Sequence, residues 1–227
     1  MSRLLFPLLM LCAFLSSGFA VGSPLWNGLS TQQKGELLAG KSIMIEEEVA
    51  GSPWPRLTIY HLVRSSPAKV AAVFWNSELD TEYLPHCQSV RILARPSSTV
   101  QEAQFTLKMP FFLPDEVYVS HIEVKRPSSE IYDLSWHVLE SVYAKECTGN
   151  VRIENEKGNA LLSYKNFMIP KSSFASLLRS QAGERVEESV QALASQVEKE
   201  TASSSPLLKS QLEDLARALR LPDHAVR

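Results

Sequence analysis

The chain has 227 residues, 44% hydrophobic and 21% charged, with a formal net charge of −2. That balance excludes a wholly disordered chain, and the length suits one substantial domain with appendages. No basic stripe is visible, which argues against nucleic acid as a partner.

Residues 1–20 read as a signal peptide. Arg3 supplies the positive start, 4–15 is an almost unbroken apolar run, and Gly18-Phe19-Ala20 offers small residues at the two positions a signal peptidase reads. The run is short for a membrane span, so a retained anchor is the lesser alternative. Cys12 follows Leu11, not a small residue, which argues against lipoprotein processing. The sequence thus predicts an exported protein, periplasmic or secreted after cleavage. Cys87 and Cys147 then remain, an even pair that an oxidising compartment allows to form a disulfide; two separately buried thiols fit the sequence equally well.

Residues 21–55 hold a leading helix and a first extended segment. The helix spans 24–40, with Ser30-Thr31-Gln32-Gln33 as a capping box and Gly40 as its stop. Residues 42–49 are extended, and 56–63 alternate Leu57, Ile59, His61 and Val63 against Thr58, Tyr60 and Leu62, so the two runs form one hairpin or bulged pair. Ser66-Pro67 starts a helix whose buried face is Val70, Ala71, Val73 and Phe74, and 78–84 is a second short helical piece.

From Pro85 to Pro170 the pattern has period two. Residues 89–93, 100–109, 116–125, 130–140, 146–154 and 160–168 are six strands joined by polar turns. Pairing Arg126 with Glu130 puts Tyr118, Ile122, Tyr132, Leu134 and Trp136 on one covered face, and His121, Glu123, Asp133 and His137 on a wet one. The histidine pair is metal-capable chemistry, but a solvated sheet face explains it more simply, and no metal site is assigned. Tyr164 shares the Leu162 and Met168 face of the last strand.

Residues 172–200 form one long helix with Phe174, Leu178, Ala182, Val186, Val190, Leu193 and Val197 on a single stripe. The covered strand face is the expected partner of that stripe. Residues 201–227 are a small-residue linker and an amphipathic tail helix carrying Leu208, Leu212, Leu215 and Leu219, expected to dock back on the domain.

This order resembles the START-like helix-grip superfamily, which includes the polyketide-cyclase and coenzyme-Q-binding START branches (SRPBCC). The resemblance spans 56–200 and rests on Ser66-Pro67-Ala68-Lys69-Val70, on Phe74-Trp75, on Tyr83-Leu84-Pro85 leading into the next strand, and on the final long helix. It implies an α+β fold in which a curved antiparallel sheet of about seven strands wraps a long C-terminal helix, with two short helices after the first strand. It also implies an apolar cavity for a hydrophobic small molecule or lipid, lined by Tyr118, Ile122, Tyr132, Leu134, Trp136, Tyr164, Phe174, Leu178 and Ala182. Phe111, Phe112 and Leu113, an apolar triplet between Pro110 and Pro114, then read as a lid or as a surface for transient membrane contact; a loop folded over an open sheet end is the structural alternative.

No nucleophile elbow, phosphate loop or cofactor motif occurs, so no catalytic residue and no cofactor is assigned. Parity places no carboxylate inward except Glu116 and Glu140 at strand ends. The leading expectation is a binding protein, the second a cyclase- or hydrolase-like enzyme, the third a protein-interaction module without ligand. An inward acid among the tyrosines would favour the enzyme, and a void-free core the interaction module. Oligomeric state is not readable from the sequence.

Overall fold

A computed structural model describes residues 23–109, 113–171 and 179–220. The chain runs α1 (Pro24–Asn27), α2 (Thr31–Leu38), β1 (Ile43–Glu47), β2 (Arg56–Val63), α3 (Pro67–Trp75), a 3-10 helix (Ser77–Glu82), β3 (Cys87–Ser97), β4 (Val100–Leu107), β5 (Glu116–Ser128), β6 (Ile131–Ser141), β7 (Ala144–Glu156), β8 (Asn159–Pro170), α4 (Arg179–Ala202) and α5 (Pro206–Leu219). The strands make one curved, unclosed antiparallel sheet in the order β1-β2-β8-β7-β6-β5-β4-β3. The sheet has eight strands, where about seven were expected, because the 42–49 and 56–63 runs each contribute a full strand. Pro96 lies in the edge strand β3, where its missing N–H costs no interior ladder bond.

β3 to β8 form a meander, but β2 pairs with β8, so the link from β2 to β3 must cross the concave face. That link is α3. It is apolar nearly all round, with Val70, Ala71, Ala72 and Val73 fully buried, because it is packed on every side. It touches β6, β7 and β8 above and α4 and α5 beside it. Pro67 occupies the first turn, while Ser66 holds the cap backbone conformation without a side-chain capping bond.

Of the helix residues expected to meet the Tyr118–Trp136 face, Phe174 and Leu178 lie outside the described residues. α4 packs mainly on β2 and α3, and α3 takes up much of the face assigned to it. The stripe also tightens along the helix: Ala182 and Val186 are half-buried, whereas Val190, Leu193, Ala194 and Val197 are buried, each valine or leucine contributing about 2 kcal/mol. α5 docks against α3 and β5 and places Leu208, Leu215, Ala216 and Ala218 in the same core.

The β5–β6 register is Ile122 with Trp136, Val124 with Leu134 and Lys125 with Asp133, two residues away from the expected pairing, with a bulge before a tight turn at 129–130. An even slip preserves the faces, so the inward set stands unchanged. On the convex side α1 and α2 cover Leu161, Tyr60 and Leu62. The Ser30–Gln33 capping box is present, both of its bonds made. Ser23 N–H donates to Glu156 at 3.0 Å and Leu25 N–H to Glu154 at 2.9 Å, fastening α1 to β7. Among the described residues no helix is long and apolar enough to cross a membrane.

Candidate functional site

The concave face carries an aromatic cluster assembled from five elements. Trp136 of β6 lies between Phe74 of α3 (ring centroids 5.9 Å) and Tyr164 of β8 (5.0 Å), and Tyr118 of β5 stacks on Phe105 of β4 at 4.9 Å. Trp136 reaches Tyr164 across β7 because the residue opposite it is Gly149, whose missing side chain leaves the strand bare there. Beneath these rings Ile122, Tyr132 and Leu134 are fully buried core, so they support the cluster instead of lining an open surface.

Phe74, Tyr83, Tyr118, Trp136, Tyr164 and Val186 pack on the core yet stay only half-buried. Burial nevertheless pushes the Tyr83, Tyr118 and Tyr164 phenols well above their usual range. The cluster thus stays partly open to solvent at the edge of the core. Around it, Arg185 of α4 donates to the Lys108 carbonyl at 3.2 Å, and His86 stands 3.9 Å from Glu188 of α4.

The 3-10 helix carries a buried acid. Asp80, on the 3-10 helix, is only 7% exposed and accepts a 2.6 Å hydrogen bond from the Tyr83 hydroxyl. Burial raises its carboxyl to about 7, the Tyr83 bond opposing that rise. Its charge adds to the rise at Tyr83, Tyr118, Tyr164 and Cys87, after burial. The 3-10 helix is held by Gln101, fully buried on β4, which donates to the Trp75 carbonyl at 3.0 Å and to Ser77 Oγ at 3.1 Å and accepts from Arg95 at 3.2 Å. Neither Asp80 nor Gln101 stands out in the sequence: Asp80 falls in a non-periodic link, and its one local signal is a tyrosine three residues on. Glu116, which parity did place inward, has its carboxylate taken up by Ser141 Oγ at 2.6 Å and Tyr143 N–H at 3.0 Å.

Cys87 and Cys147 are free thiols. The proposed bridge fails because β3 and β7 are four strand spacings apart, about 19 Å along the sheet, against a Cα separation under about 7 Å in disulfides. The Cys147 thiol instead faces Asn166 Oδ1 at 3.6 Å. Burial raises Cys87 to about 11 and Cys147 to about 12. Phe111, Phe112, Phe174 and Leu178 lie outside the described residues, Leu113 is half-buried beside them, and Ala182 is half-buried on α4. His121 and His137 do pair on the convex face, ring centroids 4.7 Å apart.

A curved antiparallel sheet, a helix crossing from its second to its third strand, and a long helix after the last strand define the START-like helix-grip fold, and this chain has it. The same fold is found in a STAR-related lipid transfer protein from Xanthomonas axonopodis, with TM-score 0.63 and 13% identity over 69% of this chain and 93% of that one. The lipid transfer and protein localization domain of human StarD13 matches with TM-score 0.55 and 13% identity over 76% and 96%. The Zhui aromatase/cyclase from a Streptomyces species matches with TM-score 0.52 and 14% identity over 66% and 98%. No family model and no curated protein matches the sequence.

Proposed function

We propose that this protein binds a hydrophobic small molecule or lipid in the recess between the concave sheet face and helices α3 and α4. The observation that carries the reading is that the aromatic cluster of Phe74, Trp136, Tyr164 and Tyr118 packs on the core yet stays half-buried. The lipid transfer proteins of the same fold support the kind of ligand. Affinity would rest on area, each buried methylene contributing about 0.8 kcal/mol. The leader-like residues 1–20 support export, and the apolar triplet Phe111-Phe112-Leu113 supports membrane contact during loading. Native mass spectrometry of protein purified from its own host tests the binding reading: a co-purifying hydrophobic mass is expected, and repeatedly clean protein would overturn it. Changing Phe111 and Phe112 to serine should weaken liposome association, and unchanged association would remove the membrane step.

One observation favours a second reading, a cyclase-like enzyme. Asp80 is an inward acid among tyrosines, held near neutrality, where a carboxyl can both give and take a proton. The aromatase/cyclase of the same fold is consistent with that chemistry. The Cys87 and Cys147 thiols and the Tyr83, Tyr118 and Tyr164 phenols are all held protonated, so none supplies a nucleophile at neutral pH. A change in the mass of the bound molecule on prolonged incubation, lost in Asp80→Asn, separates the enzyme from the carrier.

A further inference from the structure

We infer that His121 and His137, paired across β5 and β6 on the convex face, form a chelating site for a copper(II) ion. The pair lies on the side of the sheet opposite the aromatic cluster, and the inference stands apart from the binding reading above.

The separation of the rings carries it. His121 and His137 are register partners on two interior strands, each flanked by a paired neighbour on both sides, so their backbones are well fixed. Their ring centroids stand 4.7 Å apart, with the planes 30° from parallel. A metal about 2.0–2.1 Å from one nitrogen of each ring holds the centroids about 4.5 Å apart when the donors meet at a right angle, and about 5.2 Å apart at a tetrahedral angle. The observed spacing falls between the two and nearer the right angle, which is the preference of copper(II) and nickel(II). Of the divalent ions that suit imidazole, copper(II) binds such donors most tightly.

The nitrogens are also available. Among the described residues neither ring makes a hydrogen bond, and the ion-pair neighbour of His121 is Glu102 on β4, whose Oε1 stands 3.6 Å from Nδ1. Glu102 has no lysine or arginine partner among the described residues, so its charge is left to favour a cation at this spot. A carboxylate behind a ligating imidazole orients the ring and raises its basicity. With Glu102 at Nδ1, Nε2 is the nitrogen left for the metal. His137 is exposed and the His121 side chain is 29% exposed, so an ion can reach both. The neighbouring acids are engaged elsewhere: Glu123 is held by Lys125 at 2.8 Å, and Asp133 by Arg152 at 3.0 Å. Among the described residues no third histidine, cysteine or carboxylate completes a metal-holding group. The protein thus supplies two donors, and the ion's remaining positions fall to water or to a donor on another molecule.

Titration of the full, tag-free protein with copper(II) chloride in glycine buffer, read by electron paramagnetic resonance, tests the site. One ion per chain is expected, with hyperfine structure from two imidazole nitrogens, and zinc(II) should bind at least about tenfold more weakly. His121→Gln and His137→Gln should each weaken copper binding at least about tenfold and leave a single coordinated nitrogen, because the second imidazole acts at high effective concentration. Glu102→Gln should weaken binding about tenfold with both nitrogens still coordinated, and His86→Gln, the control, should change nothing. Unfolding midpoints in urea equal to the parent's will show that these exposed substitutions leave the fold intact. Copper held as tightly by both His121→Gln and His137→Gln as by the parent would overturn the site. So would a parent spectrum without two imidazole nitrogens, or a parent that takes no copper from glycine.

Discussion

A β-carbon placed on Gly149 would stand 2.2 Å from Cζ2 of Trp136 and 2.6 Å from the Lys165 carbonyl oxygen. The indole therefore lies in space that any other residue at 149 would claim. One strand's missing side chain lets its neighbour's largest side chain lie down across the sheet and reach Tyr164. Gly149→Ala should displace Trp136, because one of the two obstructing groups is backbone and cannot swing away. A loss of about 1–3 kcal/mol in urea unfolding is expected, together with a shifted tryptophan emission. Native stability and spectrum in the alanine variant would refute the close approach.

Asp80 should make stability depend on pH in an unusual direction. Its folded carboxyl is raised to about 7 from an ordinary 3.8, so the native state holds this proton more tightly than the unfolded chain. The stabilisation is fully present below about pH 4, declines as pH rises and is gone above about 7, a total of about 4 kcal/mol for a shift of about three units. Asp80→Asn should remove that decline. His61 works oppositely: burial lowers its folded value, so its contribution is present above about 6.5 and lost on acidification. The comparison is therefore between Asp80→Asn and the parent, measured by thermal unfolding at several pH values from 4.5 to 7.5. Equal differences at every pH would exclude a perturbed Asp80.

The faces of the sheet were legible in the sequence because side-chain alternation survives any even slip. Ile122, Tyr132, Leu134 and Trp136 point inward although the turn near Pro127 was placed two residues off. What local pattern could not carry is what depends on distant chain. Glu154 and Glu156 look like a polar strand end, yet they are buried because α1, some 130 residues earlier, lies across them. Asp80 belongs to a link without period, and its burial is set by β4 through Gln101. α4 reads correctly as an amphipathic helix, but amphipathicity does not name the surface it meets, and α3 took much of that surface. Two cysteines in a row of letters likewise say nothing of the strand spacings between them.

The Glu154 carboxylate, 1% exposed, accepts from Leu25 N–H and from Arg152 Nε at 2.6 Å, and Arg152 also bonds Asp133 at 3.0 Å. Glu154→Ala leaves Arg152 to Asp133 alone and removes the acceptor of Leu25 N–H, freeing α1. A loss of about 1–3 kcal/mol is expected, with proteolysis first appearing between 23 and 40. Resistance to protease equal to the parent's would show that α1 is held by its apolar contacts alone.

The thiols should be nearly inert in the folded protein. With Cys87 raised to about 11 and Cys147 to about 12, only about one thiol in a thousand or fewer is ionised at pH 8. Iodoacetamide should label neither over an hour, and should label both once urea unfolds the chain without reductant. Absence of labelling in unfolded, unreduced protein would reveal a bridge.

The pairing of Ile59 with Tyr164 joins residues about a hundred positions apart, and it sets a schedule for the growing polypeptide. β3 to β7 can pair with neighbours as they emerge, but β2 waits for β8, and α3 has no complete bed until then. The aromatic face cannot be roofed before α4 and α5 have also been made. Folding should accordingly be slow, as long-range pairing dictates. Through most of synthesis the chain should show chaperones the aromatic face that stays only half-buried in the finished protein.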